Sequence, residues 1–494
     1  MSSRRLRAFK RWMSHQGIEC SDALALKDSK QQGISVVALC DLHPNDVVAT
    51  IPKSACLTIK TSGAREMIES AGLDGHLGLA AALMYEMSLG ELSPWAGYLQ
   101  LLPDKEEGVP LVWTLDEVDS MLCGTELHKT VNEDKALLYE DWKECIWPLA
   151  TSAFDNLNMD FFGVEKYFAA KTLISSRMFE IDEFHGFGMV PLADLFNHKT
   201  GAEDVHFTLS PSLSDSESEK LVNTDSDEQC DSDATGSRGQ ASILPVIKNS
   251  DNNDDLGASL TTNLDDSTLL EMILVKDVRS GLEVFNTYGT LSNAALLHRY
   301  GFTEANNPYD IVNIDLELVW QSSLVLNTKR YIRSRVALWK RLDVENVRQD
   351  TEYFEISSDG EPEMELLVLL YILSLPEEFY YLLDHITSMG EALSKADVEN
   401  LPKECSLVFG TRAETRKDLL NGSVCDALLS IANLRESFYK SGSLQDDVDR
   451  LKTCCPVLER KKYHSLMLLI SERNILQKLR LYAAAAGKAK PLLN

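Results

Sequence analysis

Two stretches of sequence decide the fold of this chain. One is Pro191-Leu-Ala-Asp194-Leu-Phe-Asn197-His198, and the other runs from Glu283-Val-Phe-Asn286-Thr-Tyr288-Gly to Leu297-His-Arg-Tyr300-Gly301-Phe302. A third, Ser175-Ser-Arg177-Met-Phe179-Glu180, precedes them. Each alone has a structural interpretation, since Asn-His suits a turn with a capping side chain and a Tyr-Gly pair suits a strand end that packs a core aromatic. The three are unusual together, which indicates a functional site.

Strand-like and helical segments surround these stretches. Short strands with tight turns are predicted at residues 23–26, 33–42, 47–51, 186–190 and 272–285. Apolar residues recur at helical spacing from about 77 to 173, which predicts a helical block. The pattern is helical again from about residue 316 onward, including the largely apolar segment Met364–Leu375, and it predicts a separate all-α domain.

The N-terminal segment admits two interpretations. It is rich in Arg and poor in acidic residues up to Gly17, as transit peptides are. Phe9, Trp12 and Met13, however, fall on one helical face, and Gly17 stands where a helix would end. The sequence therefore predicts a folded first helix.

The clearest change in composition lies between residues 210 and 268. Residues 211–268 hold thirteen acidic residues, three basic ones and no aromatic ring. Such a segment cannot bury enough apolar area to offset its chain entropy, so it is predicted to be a disordered, solvated spacer. Ser214-Asp-Ser-Glu217 also suits an acid-directed kinase, which is an alternative role for the segment.

The net charge is −28, with 76 acidic against 48 basic residues. This balance argues against a nucleic-acid binder, which needs basic surface to replace the counterions around phosphate. It favours cationic partners, because opposite charges steer encounter, although an acidic surface also serves solubility alone. No run of about 18 apolar residues occurs, so no membrane-spanning helix is predicted.

Ten cysteines are spread along the chain, and none forms a CxxC pair. The usual zinc spacing is therefore missing, and no metal site is predicted. In a long chain without a secretory signal, such cysteines are expected to be reduced thiols. The protein is accordingly expected in the nucleus, the cytoplasm or both.

Two further motifs are incomplete. Gly186-Phe-Gly188-Met-Val-Pro191 begins like a dinucleotide fingerprint, but Pro191 replaces its third glycine. Gly124-Thr-Glu-Leu-His128-Lys129-Thr130 imitates part of a phosphate loop, but His128 replaces the glycine before the lysine. Neither HExxH nor GxSxG occurs, so zinc-protease and α/β-hydrolase signatures are missing.

In their order and spacing, the three stretches resemble the SET fold. More narrowly, they resemble the Rubisco large-subunit methyltransferase class, which includes ribosomal-protein and nuclear N-lysine methyltransferases. The resemblance covers about residues 5–485 apart from the acidic insertion, and it is loose in the C-terminal region. No cysteine cluster follows Tyr300, which separates the chain from histone-type SET enzymes that close their site with zinc.

The resemblance implies an α+β fold in which a β-rich, knotted SET domain carries a helical insertion and is followed by an all-α C-terminal domain. The implied boundaries are an N-terminal helix at 1–20, a SET domain at 21–310 with insertions at about 77–173 and 210–268, and a helical substrate-binding domain at 316–494.

The class uses S-adenosylmethionine as methyl donor, and the resemblance implies which residues bind it. Gln32-Gly33-Ile34-Ser35 matches a Gly-x-Gly turn whose backbone lines the methionine end of the cofactor. Ser35 replaces the second glycine, and serine disfavours a positive φ, so this is the main departure from the family pattern. Arg177 matches an arginine near the cofactor carboxylate. Asn197 and His198 match a pair in a knotted crossing whose backbone binds the adenine edge.

The resemblance also implies the catalytic and substrate-side residues. Tyr288 matches the catalytic tyrosine, which borders the cofactor as well, and Tyr300 matches a second hydroxyl near the target nitrogen. Asp194 lies on the substrate side. Either His206 or Phe207 is expected to supply part of the aromatic wall around the lysine channel.

The activity implied by the resemblance is protein-lysine N-methylation. The expected substrate is a basic protein, such as a ribosomal protein, a histone or a nuclear factor, bound by a monomer without direct contact to nucleic acid or membrane. One alternative is a protein-histidine methyltransferase, because histidine is already largely neutral at pH 7. Another is a non-catalytic SET-fold interaction module, which the departure at Ser35 favours.

Overall fold

The first helix shows how the local sequence builds this structure, which is a computed structural model. Helix α1 spans Arg4–Gln16, and the Ser3 side chain caps its first turn. The helix ends at Gly17, which has a φ of 71°. Its inner face buries Phe9 and Met13, as the sequence predicted.

The structure describes residues 3–29, 33–153, 158–208, 268–323, 328–342, 353–388, 398, 400–409, 413–440 and 442–488. The acidic insertion predicted at about 210–268 lies outside these residues apart from Thr268, and its predicted disorder stays a prediction.

Short antiparallel strands surround the candidate site. They are β1 (Glu19–Cys20), β2 (Leu24–Ser29), β3 (Gly33–Ala38), β4 (Val47–Pro52), β5 (Leu57–Thr58), β6 (Met178–Asp182), β7 (Gly186–Met189), β8 (Val205–Thr208) and β9 (Leu269–Leu274). They form a sheet in the order β1-β4-β9-β8, a second in the order β5-β7-β6, and the hairpin β2-β3.

One predicted strand is shorter than expected. The sequence favoured a strand over 272–285, but β9 ends at Leu274. The chain then makes isolated bridges at Val278 and Glu283, separated by a turn at Gly281, whose φ is 85°. Glycine adopts this left-handed conformation without a steric cost, so the turn interrupts the strand.

The predicted helical block lies between β5 and β6. Its helices are α2 (Arg65–Ser70), α3 (Gly75–Leu89), α4 (Ala96–Leu99), α5 (Leu115–Met121), α6 (Glu126–Asp141), α7 (Trp147–Ala153) and α8 (Val164–Arg177). Helix α3 is apolar around most of its circumference and packs between α8 and the β5-β7-β6 sheet. A helix with this pattern is stable when it is buried.

The C-terminal region is mainly helical. Its helices are α9 (Asn293–Tyr300), α10 (Leu316–Ser323), α11 (Lys329–Arg341), α12 (Met364–Ser374), α13 (Glu377–Ser388), α14 (Lys403–Ser406), α15 (Ala413–Leu419), α16 (Gly422–Glu436), α17 (Leu444–Thr453) and α18 (Arg460–Lys488).

This region also contains a strand, so the expected all-α domain needs a correction. Strand β10 (Ile311–Asp315) pairs antiparallel with β11 (Tyr353–Ser357). In β11, Phe354 and Ile356 are buried and alternate with more exposed neighbours. This two-residue period, together with aromatic and β-branched side chains, is typical of a half-buried strand. The α+β class itself is confirmed.

The hydrophobic core has two large clusters and a small one. The first runs from Leu6 to Val284, and the second from Val312 to Ala483, so it begins close to the predicted boundary at 310–316. The small cluster packs Trp113 of the helical block against Leu468 of α18. None of the described helices is both long and apolar enough to cross a membrane.

Candidate active site

The candidate site is built where three chain segments cross. Val284 donates its backbone N–H to the carbonyl of Val36 at 2.8 Å, and Asn286 donates to the carbonyl of Asn197 at 2.9 Å. The side-chain Nδ2 of Asn197 donates to the carbonyl of Ile34 at 3.3 Å. The Asn-His segment is therefore hydrogen-bonded both to β3 and to the stretch after β9.

His198 holds the backbone at Tyr288. Its imidazole Nδ1 accepts the backbone N–H of Tyr288 at 2.9 Å, and its Nε2 lies 3.2 Å from the Thr200 hydroxyl. Burial lowers the pKa of His198, against the opposing charge of Glu304. The ring is therefore neutral at neutral pH, with Nδ1 as acceptor and the proton on Nε2.

Four aromatic rings, here called the site aromatic cluster, line this crossing: His198, Tyr288, Tyr300 and Phe302. His198 stacks on Tyr288 with 4.9 Å between ring centroids, and Tyr288 stacks on Tyr300 at 4.4 Å. Phe302 lies 6.2 Å from Tyr300 and 6.1 Å from His198. Such rings exclude water from the crossing.

The hydroxyl groups of the cluster stay protonated. The Tyr288 hydroxyl donates to the carbonyl of Phe196 at 3.3 Å. Burial raises the pKa of Tyr288, and the neighbouring Tyr300 raises it further. Burial also raises the pKa of Tyr300. Both groups are therefore neutral at physiological pH and act as hydrogen-bonding hydroxyls.

A buried ionic network lies beside these hydroxyls. At the end of α8, the Arg177 Nη2 donates to Glu106 Oε1 at 2.5 Å, and its Nη1 lies 3.6 Å from Asp194 Oδ2. The Tyr98 hydroxyl donates to the same Asp194 oxygen at 2.7 Å. Burial raises the pKa of Asp194, and Arg177 opposes that shift. The charges of Arg177, Asp194 and Glu106 all act on Tyr288.

Two buried polar atoms of this network, Arg177 Nε and Asp194 Oδ1, have no hydrogen-bond partner in the described structure. A carboxylate and an ammonium group would supply the missing partners. Gly33 has a φ of 77°, and the space that a Cβ would occupy there is open. These residues fit the methionine end of S-adenosylmethionine, which carries both groups.

The departure from the glycine pattern at Ser35 carries no backbone strain. Ser35 pairs with Lys27 inside the β2-β3 hairpin, and it is not among the described residues with positive φ. Among the described residues of this hairpin, the left-handed conformation falls on Gly33. Serine therefore fits the extended backbone at this position.

The two candidates for the channel wall differ in position. Phe207 packs edge-on against Phe179, with 5.3 Å between the ring centroids. His206, the preceding residue of β8, is exposed. Successive side chains of a strand point to opposite faces, so only Phe207 faces the interior.

Sequence reasoning missed several residues of the site. Tyr98 lies in α4 and Glu106 in the loop that follows it, and no local pattern distinguishes either of them from its neighbours in the helical block. Glu283 holds the crossing, because its Oε1 accepts from Asn197 Nδ2 at 2.7 Å. Leu192 has a φ of 78°, and such strain in a non-glycine residue is typical of functional sites.

Metal chemistry has no visible support in the described residues, where no group of three or more His, Cys, Asp or Glu side chains is arranged to hold a metal ion.

The chain is similar to curated protein methyltransferases. It is 25% identical over 360 residues to ribosomal lysine N-methyltransferase 3 of Saccharomyces cerevisiae, and the match covers 64% of each chain. It is 23% identical over 459 residues to N-lysine methyltransferase SETD6 of Bos taurus, covering 86% of this chain and 89% of the bovine protein. No protein-family model matches the chain.

Solved structures share the whole fold. A crystal structure of the SET domain of LSMT bound to lysine and AdoHcy superposes with a TM-score of 0.64 at 18% identity, covering 97% of this chain and 91% of that one. Rubisco LSMT bound to AdoMet gives a TM-score of 0.63 at 18% identity, covering 98% and 92%. This chain is therefore similar in sequence to proteins named as lysine methyltransferases, and it has the fold of the Rubisco LSMT SET domain.

Proposed function

We propose that this protein is an S-adenosylmethionine-dependent protein-lysine N-methyltransferase. The observation that carries the proposal is the stacked pair Tyr288–Tyr300 at the chain crossing, with the Tyr288 hydroxyl bound to the Phe196 carbonyl. The names of the yeast and bovine relatives, both lysine methyltransferases, support it.

The site aromatic cluster suits a neutral amine. A lysine with an ordinary pKa of about 10.4 must spend roughly 4–5 kcal/mol to be neutral at pH 7. Buried rings disfavour its charged form and so lower that cost. The Tyr288 proton already points to the Phe196 carbonyl. The lone pairs of the Tyr288 oxygen are therefore free to accept an N–H of the lysine amine, and this hydrogen bond orients the lone pair of the amine nitrogen.

The cofactor, when bound, supplies an electrophilic methyl group. We place its carboxylate and ammonium at Arg177 Nε and Asp194 Oδ1, the two unpartnered atoms of the ionic network. This proposal assigns Asp194 to the cofactor, whereas the resemblance implied a place on the substrate side. The open backbone at Gly33 borders this end of the cofactor. We place the adenine of the cofactor against the backbone of Asn197 and His198.

We further propose that the substrate is a basic protein and that the enzyme acts as a monomer in the nucleus or the cytoplasm. The net charge of −28 favours a cationic partner. The thiols of Cys56 and Cys405 are free, and burial raises their pKa to about 12 and about 11. Buried thiols of this kind are unreactive, and it is the unpaired state of the described cysteines that is typical of a reducing compartment.

The proposal is tested by incubating the purified chain with labelled S-adenosylmethionine and a cell lysate, and then mapping the label by mass spectrometry. We expect label on a lysine side chain. Label on a histidine would replace the proposal with the histidine alternative. If equilibrium dialysis showed no binding of the labelled cofactor, the protein would be a non-catalytic module.

A further inference from the structure

One cavity in the described structure is lined by none of the candidate-site residues. Its volume is about 230 Å³, and its walls come from the end of α5 and the loop after it, from α17 and the loop before it, and from the first turns of α18. The polar lining consists of Ser120, Cys123, Lys440, Arg450, Lys462 and Ser465. The apolar floor is formed by Met121, Leu466 and Leu469.

The charge of this lining is opposite to that of the molecule. Lys440, Arg450 and Lys462 are three cations, and none of the described residues that line the cavity is acidic, whereas the chain carries a net charge of −28. Cations grouped around a concave surface focus a positive potential there. The cavity therefore favours an anionic ligand.

A buried hydroxyl opens on this cavity without a partner. Ser465 is 2% exposed, and its Oγ makes no hydrogen bond in the described structure. A helical serine usually donates to a carbonyl of the preceding turn, and an unbonded buried hydroxyl is costly. A ligand oxygen in the cavity would satisfy it.

The ion pairs of the lining cations leave them able to bind a ligand. Arg450 pairs with Asp447 at 2.9 Å, but Asp447 also accepts from the buried Arg473 at 2.8 Å and keeps that partner when Arg450 turns. Lys462 pairs with Glu459 at 2.9 Å, and both are about two-fifths exposed. Exposed pairs of this kind exchange at little cost.

We propose that this cavity binds a phosphate monoester. A phosphate carries about −1.5 to −2 charges and several acceptor oxygens, which match one arginine, two lysines and the Ser465 hydroxyl. The cavity is several times the roughly 30 Å³ that one water occupies, so a short carbon chain fits over its apolar floor. The source is either a phosphorylated side chain of a protein partner or a free phosphate compound.

Calorimetric titration of the full chain tests the site, with inorganic phosphate, a phosphoserine peptide and its unphosphorylated form as probes. We expect saturable 1:1 binding of inorganic phosphate and of the phosphoserine peptide, and no binding of the unphosphorylated peptide. The double variant Lys440→Gln/Arg450→Gln should lose at least tenfold in affinity, and Ser465→Ala should lose severalfold. Lys452→Gln is the matched control, because Lys452 lies on the same helix and pairs with Asp449 but does not line the cavity.

The probes separate the two sources. A peptide that binds at least tenfold more tightly than inorganic phosphate identifies a phosphorylated partner, and equal affinities identify a free phosphate compound. The proposal would be overturned if neither inorganic phosphate nor the phosphoserine peptide bound saturably. It would also be overturned if Lys452→Gln lost as much affinity as the double variant. If the double variant does not fold, the single variant Lys440→Gln tests the site instead, because Lys440 is exposed and its change should not disturb folding. No methyl donor is present, so the result is independent of the proposed activity.

Discussion

At the scale of single residues, burial decides what Tyr288 does. Its ring is stacked between His198 and Tyr300, and its backbone N–H is held by the His198 imidazole. Burial keeps the hydroxyl protonated by raising its pKa. The group therefore acts by hydrogen bonding and position rather than as a base.

Replacing Tyr288 by Phe should remove this hydroxyl and leave the ring stack intact. We expect turnover to fall on the order of 10²–10³-fold, the usual cost of losing one preorganised hydrogen-bonding group, while cofactor affinity changes little. Steady-state kinetics and cofactor titration measure the two effects. Tyr309→Phe is the control, since Tyr309 is 41% exposed. Activity near wild type in Tyr288→Phe would remove Tyr288 from the catalytic role.

A second prediction concerns the hydroxyl that satisfies Asp194. Tyr98 is fully buried and donates to Asp194 Oδ2. Tyr98→Phe leaves that oxygen with only Arg177, 3.6 Å away, so the free energy of unfolding should drop by about 1–3 kcal/mol. Urea denaturation measures it. Tyr98→Phe and Asp194→Asn, singly and combined, form a double-mutant cycle. Additive changes in the free energy of unfolding would show that the two groups are not coupled.

At the scale of elements, α9 positions Tyr300. The Ser292 hydroxyl caps the helix, and Gly301 ends it in the left-handed conformation. The first helical residue, Asn293, donates its side-chain Nδ2 to Asp310 at 2.7 Å. Both ends of this short helix are thereby fixed, and the last residue carries its ring into the site aromatic cluster.

Gly301 also touches the backbone of the helical block, which makes it sensitive to a single methyl group. A Cβ there would lie 2.6 Å from the carbonyl carbon of Gly108, which cannot yield as a side chain does. Gly301→Ala should destabilise the protein by about 1–3 kcal/mol beyond the cost of placing alanine at a positive φ. It should also lower activity by moving Tyr300. Gly201→Ala is the control, because Gly201 has the same φ of 75° with open space around it. Equal unfolding midpoints of the two variants would contradict this.

At the scale of the whole molecule, one long helix joins the parts. Helix α18 contributes Leu468 to the small cluster and Leu476 to the C-terminal core. Its His464 accepts the backbone N–H of Thr303 at 3.0 Å, close to the site aromatic cluster. Farther along, Glu472 is buried and accepts from the Tyr439 hydroxyl at 2.6 Å.

These two groups of α18 give stability opposite dependences on pH. Burial lowers the pKa of His464 to about 4, so its contribution is present above the ordinary value of about 6.5 and is lost as pH falls towards 4. Burial raises the pKa of Glu472 to about 7, against the attraction of Arg435. The unfolded chain ionises this carboxyl first, so stability is lost as pH rises from about 4.5 to about 7.

The Glu472→Gln variant should therefore gain stability relative to wild type as pH rises from 5 to 7, by at most about 1.4 kcal/mol per pH unit. His464→Gln should show the reverse, gaining relative to wild type as pH falls over the same range. Urea unfolding at pH 5, 6 and 7 measures both. Parallel curves for wild type and Glu472→Gln would mean that this carboxyl does not titrate in the window.

Local patterns in the sequence determined a large part of the fold. Periodicity and turn residues predicted the buried face of α1, its end at Gly17, the strands near β3 and β4, and the helical block. They could do so because these signals depend only on neighbours a few positions apart. The quoted stretches with Asn197, His198, Tyr288 and Tyr300 also indicated the site. The structure brings these four residues together, and their catalytic and binding roles stay predictions.

Which distant residues meet depends on the tertiary packing, and the local sequence does not reveal it. Tyr98 and Glu106 reach Asp194 and Arg177, and β11 pairs with β10. Cations from two helices and a loop surround one cavity. Periodicity reports which face of an element is buried, but not which other element covers that face. Long-range contacts of this kind depend on the packing of the whole chain, since each favourable burial must be satisfied together with all the others.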